Sequence, residues 1–159
     1  MPFEEKASSY ANYFVAIGSA LWRAEKPYTV ASCASPPTGA WSNVVAVGEF
    51  AYNITGLANH RNICYIGKEN GLYKVSDSTV TDIAPELRTL YNTRSGRNLF
   101  AWKDYLYIPF GKQALYQYDG AANAIGTVNP AAYSLGITTY SGQILALWGD
   151  EEYLFAFVV

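Results

Sequence analysis

The sequence predicts an all-β protein: a β-propeller of four-stranded antiparallel blades, with about 3.5–4 blades in the chain. Three observations predict it. Aromatic residues make up 16% of the 159 residues, Tyr alone contributing 14, a composition that suits half-buried pleated surfaces. One hairpin-like unit recurs along the chain. Short polar turns separate its strands, and turns that short force neighbouring strands to run antiparallel.

The recurring unit is an apolar strand, a turn at or near a Gly, then a triplet ending in an aromatic residue. It reads Phe14–Trp22, Cys64–Tyr73, Tyr107–Tyr116 and Leu145–Phe155, with Gly anchors at 18, 67, 111 and 149. Strands at Ile54–Asn59, Asn98–Trp102 and Gly136–Tyr140 precede the last three copies. The turns His60-Arg61, Lys103-Asp104 and Ser141-Gly142 join them to the next strand. Weaker strands follow at Val80–Ala84 and Ala124–Val128, after the turn residues Asp77-Ser78 and Asp119-Gly120. The repeat units therefore fall near 10–48, 50–90, 96–130 and 134–159 of a single domain.

Two interruptions disturb this scheme. Ala24–Ala40 contains Ser35-Pro36-Pro37-Thr38-Gly39 and reads as a loop inserted in the first unit, before a strand at Val44–Val47. Pro109 removes a ladder donor, so it belongs at a strand end or on a free edge. Pro85–Leu90 reads as a helical turn or two between blades. The strands after each turn are apolar on both faces, as expected of strands covered on both sides. A two-sheet sandwich or barrel of hairpins is the alternative. The fourth unit is partial, so a longer chain or a second copy completing the ring ranks ahead of self-closure.

Composition narrows function by exclusion. The formal charge is -2, without the basic surplus of a duplex-binding protein, so no nucleic-acid partner is expected. No apolar run reaches the ~18 residues of a membrane span, and the acidic leader Met1–Lys6 is not a secretory signal. No membrane partner is expected, and the location expected is a virion or the cytoplasm. Asn53-Ile54-Thr55 matches a glycosylation acceptor, read as chance without an export signal. Cys33 and Cys64 have no motif spacing and read as reduced, structural thiols.

From Ile54 to Val75, and again from Gly96 to Gly120, the chain resembles propeller-type repeats of uncharacterised bacteriophage tail-associated proteins. It lacks the Gly-His and Trp-Asp dipeptides of WD40 repeats. The resemblance implies a structural or host-recognition part of a phage particle, with protein partners that include further copies or other virion proteins.

The chemistry-bearing residues are few. His60, the one histidine, reads as an exposed turn residue, and one His with two distant Cys makes no zinc site. No phosphate-cradling glycine motif occurs, and no cofactor is expected. Asp150, Glu151 and Glu152 cluster in the fourth turn, where adjacent acids usually face water; a glycan-active hydrolase using Asp150 and Glu152 is the second alternative. The better lead is aromatic. Trp41, Trp102, Tyr105 and Tyr140 lie near turns, where flat rings with polar handles suit protein interfaces and sugar faces. Trp22, Trp102 and Trp148 read more simply as packed between blades. The function expected is a non-enzymatic interaction module displaying loops to a protein, with a carbohydrate-binding propeller as the alternative.

Overall fold

The structure is a computed structural model and describes residues 13–25, 28–36, 39–85, 99–110, 115–120 and 144–158. These residues are all-β, with four antiparallel sheets in chain order. Sheet 1 is β1 (Phe14–Ile17), β2 (Ala20–Glu25), β3 (Thr29–Cys33) and β4 (Ser42–Ala46). Sheet 2 is β5 (Ile54–His60), β6 (Ile63–Lys68), β7 (Gly71–Ser76) and β8 (Thr79–Asp82). Sheet 3 holds β9 (Phe100–Trp102), β10 (Tyr105–Pro109) and β11 (Leu115–Tyr118), and sheet 4 holds β12 (Ile144–Gly149) and β13 (Leu154–Val158). Every strand pairs with its sequence neighbour, so each sheet is a simple meander.

The turn chemistry explains the meander. Arg61 and Asn62 have φ of 52° and 61°, and Asp77 and Ser78 have 49° and 69°. Two successive positive φ values twist a two-residue turn to match its strands. Asn and Asp tolerate that region, and Asn59 Oδ1 accepts the Asn62 N–H at 3.1 Å to fix the first of these turns. Pro109 closes the β10 ladder opposite Leu115, at the strand end where the missing donor costs least.

Among the described residues, three cores lie between successive sheets. Val30, Ala24 and Val47 of sheet 1 and its exit meet Ile54, Cys64, Ile66, Tyr73 and Val75 of sheet 2. Tyr65 and Leu72, on the opposite face of sheet 2, meet Leu106, Ile108, Phe110 and Tyr118. Tyr107, on the far face of sheet 3, meets Ile144 and Leu147 of sheet 4. Alternate residues of β6 and β10 thus enter different cores, which period-two side-chain geometry requires. Sheets 2 and 3 are covered on both faces, whereas a two-layer sandwich covers one face of each sheet. β5 packs on β1 and on β9, and β9 packs on β12. A cavity of about 210 Å³ is bordered by Tyr13, Gly56, Leu57, Leu99, Phe100, Ala146 and Leu147, drawn from all four sheets and their entries.

Three expectations are corrected. Ala24–Ala40 is not one loop: β2 runs to Glu25, and Thr29–Cys33 is the third strand of sheet 1. Val30 and Ala31 are fully buried there, so burial outweighs the prolines that follow. The described residues between β3 and β4 are 34–36 and 39–41, with Gly39 N–H donating to Ser35 O at 2.8 Å. The repeat register also differs. Residues 14–22 and 145–155 form β1–β2 and β12–β13, whereas 64–73 and 107–116 form β6–β7 and β10–β11, the second and third strands of their sheets. β12 packs on β9 and borders the shared cavity, so it stands where β1, β5 and β9 stand. His60 is the third correction. It ends β5 at 4% exposure, because its ring turns toward Tyr65 and the end of β11 rather than to water. The expectations at Gly136–Tyr140, Ala124–Val128 and residues 86–90 lie outside the described residues.

Candidate interaction surface

The β12–β13 hairpin carries the main candidate. Its register pairs Trp148 with Phe155, and Gly149 with Leu154. Leu147, Leu154 and Ala156 face sheet 3. Alternation then sends Trp148, Phe155 and Phe157 to the other face, where they are 53%, 41% and 59% exposed, with Tyr153 beside them at 61%. Trp148 and Phe155 lie 5.2 Å apart between centroids at 30°, and Tyr153 meets Phe155 at 6.3 Å. Exposed aromatic residues that touch one another form a patch, and a contiguous apolar patch is informative where a lone exposed ring is not.

The hairpin is fixed from two sides. Asp150 Oδ1 accepts the backbone N–H groups of Glu152 at 2.8 Å and Tyr153 at 2.7 Å, and Asp150 N–H donates to Tyr153 O at 3.0 Å. These backbone donors hold the Asp150 carboxyl below the usual carboxylate range. Across the sheet boundary, Trp102 Nε1 donates to Asp150 O at 2.6 Å. The Trp102 ring lies so close to Gly149 that a Cβ there would sit 2.5 Å from Cδ1, which is why this position takes glycine.

The residues singled out from sequence fall in different places. Trp102 is half-buried, with the Lys103 Nζ 4.3 Å above its ring and Tyr107 at 6.0 Å. Tyr105 is exposed at the same turn and meets Tyr107 edge-on at 6.4 Å. Trp41 belongs to the opposite end of the stack: the Arg23 guanidinium sits 4.0 Å from its ring and Phe14 at 6.5 Å. Tyr140 lies outside the described residues. Trp22 and Trp102 pack between sheets, but Trp148 does not. The exposed set of Trp148, Tyr153, Phe155 and Phe157 went unselected. Its signal was present in the alternation Phe155-Ala156-Phe157, which puts two large rings on one face.

Two buried polar groups tie the sheets together. Lys68 is fully buried, and its Nζ donates to Val47 O and Glu49 O, both at 2.6 Å, holding the connection between sheets 1 and 2. Burial lowers its pKa to about 8, opposed by the Glu49 and Glu69 charges. The Glu69 carboxylate accepts Asn53 N–H at 3.0 Å and Asn53 Nδ2 at 3.3 Å on the same connection. Cys33 and Cys64 are free and buried, as expected, and burial pushes the Cys64 thiol up to about 12. Among the described residues, no group of three or more His, Cys, Asp or Glu side chains is placed to hold a metal ion. No helix of the described residues is long and apolar enough to cross a membrane.

Compared with known proteins, the chain matches no family model, and no curated protein matches it.

Proposed function

We propose that the protein is a non-enzymatic interaction module of the β-propeller type, whose sheets hold the aromatic face of sheet 4 in place for a protein partner. Residues of all four sheets and their entries border one cavity, and β1, β5, β9 and β12 pack in succession, which supports arrangement about a common axis. The observation that carries the reading is the exposed, touching set of Trp148, Tyr153 and Phe155, with exposed Phe157 on the same face, on a hairpin pinned by Trp102. Rigid aromatic side chains lose little entropy on binding, and they anchor most strong interfaces. The likeness of residues 54–75 and 96–120 to phage tail-associated repeats supports a partner within a virion.

A photo-crosslinking amino acid at Tyr153, compared with one at the exposed turn residue Ser78, tests this. Protein adducts formed at 153 but not at 78, and lost when Phe155 and Phe157 are both changed to Asp, are the expected result. Equal labelling at both positions overturns the reading. Binding on a glycan array that disappears with Trp148→Ala selects the carbohydrate-binding alternative instead.

A further inference from the structure

The three inter-sheet contacts share a pattern. In the first hairpin of sheet 1, Val15 pairs with Trp22 and both pack toward sheet 2. In sheet 2, Ala58 pairs with Tyr65 and both are buried toward sheet 3. In sheet 3, Phe100 pairs with Tyr107 and both pack toward sheet 4. Each sheet thus offers one cross-strand pair holding an aromatic residue, from its first two strands, to the sheet that follows. Sheet 4 offers the pair Trp148–Phe155 in the same way, and no sheet of the described residues covers it.

At the other end, the face of sheet 1 turned away from sheet 2 carries Phe14 and Val44 at 54% and 57% exposure, beside the half-buried Trp41. It is the face that, in sheets 2, 3 and 4, receives the preceding aromatic pair. Among the described residues, one donor face and one acceptor face are therefore unfilled, at opposite ends of the stack.

We propose that the partner of the sheet 4 face is the first sheet of a second copy of this chain, and that two copies join head to tail into a closed ring. The inference rests on the interaction-module reading above and names its partner. Two copies of the four described sheets give eight, the upper end of the usual blade number. A head-to-tail contact uses two different patches, and a two-fold ring satisfies both patches of both copies. The area is adequate. Four aromatic side chains of ~150–250 Å² each, roughly half exposed, offer on the order of 400 Å² per copy. Two such contacts with their apposed sheet 1 faces reach about 1,200 Å², the threshold of a stable interface.

Sedimentation over a range of concentrations tests the proposal on the full chain. The wild type should run as a dimer. Phe155→Asp and Phe14→Asp should each weaken association by at least about tenfold. Both side chains are exposed, so neither change opens a core, and circular dichroism with a cooperative melt confirms folding; Phe157→Lys serves if Phe155→Asp fails that check. Mixing the two variants is the decisive measurement. One variant keeps an intact sheet 4 face and the other an intact sheet 1 face, so the mixture should regain one of the two contacts and associate more tightly than either variant alone but more weakly than the wild type. A dimer unaffected by Phe14→Asp shows sheet 4 pairing with itself and overturns the proposal. A wild type that stays monomeric at every concentration also overturns it. If the position 153 crosslinker still captures a different protein in that case, the interaction-module reading stands without the ring.

Discussion

His60 shows how one side chain binds the stack together and exposes it to acid. Its ring lies between Tyr65, at 6.0 Å, and Gly120, and it has a backbone hydrogen bond with Asp119, while Nε2 is buried without a partner among the described residues. Burial first, then the Arg61 charge, lowers its pKa from the ordinary 6.5; the Asp119 backbone and the charges of Asp104 and Asp119 oppose this. The neutral form is thus favoured in the fold, and the unfolded chain takes up the proton first. Stability contributed by this group is present above pH 6.5 and is lost as pH falls below it toward the folded value. As the only histidine in the chain, it gives one imidazole resonance to follow. A proton NMR titration should place its midpoint below 6.5, and denaturant unfolding of His60→Gln should lack the loss of stability that the wild type shows as pH falls below 6.5. A midpoint at or above 6.5 contradicts the burial described. The sequence placed this residue in a turn because Arg61-Asn62 follows it. What it could not contain is the long-range approach of Gly120, which closes the site from another sheet.

At the level of strands, most of the fold could be read from residues. Short apolar runs bounded by polar turns located β5 to β8 and β9 to β11 to within a residue or two. Two features could not be read. β3 adjoins Pro36 and Pro37, and local chemistry spoke for a loop until Val30 and Ala31 found a core. Hairpin register was ambiguous because first-to-second and second-to-third connections carry the same signals: a short turn followed by Leu or Tyr and an aromatic residue. The candidate face was hidden for a related reason. A strand apolar on both faces reads alike whether or not a neighbour covers it. The two-sided burial of sheets 2 and 3 has a measurable result. Ile66 and Ile108 are fully buried, the first between sheets 1 and 2 and the second between sheets 2 and 3. Each change to Ala should cost about 2–5 kcal/mol in urea unfolding. Because the cavities open in separate cores, the double variant should show the sum to within ~0.5 kcal/mol. A large departure would indicate that the two cores behave as one.

For the molecule as a whole, the exposed rings of Trp148, Phe155 and Phe157 set a thermodynamic signature for whatever contact they make. Removing aromatic surface from water is driven by entropy near room temperature and carries a negative heat-capacity change. For an apolar area on the order of 1,000 Å², that change is on the order of -0.4 kcal/mol/K. Association should therefore tighten on warming from ice temperature to about 25 °C, and dilution calorimetry at several temperatures should give a steep slope of enthalpy against temperature. Sulfate should tighten it further, since it is excluded from newly bared surface. A flat enthalpy, with binding that instead weakens in salt, would point to charged groups rather than the rings. Cold, dilute, low-sulfate buffer is consequently where this protein should be sought free of any partner these rings engage.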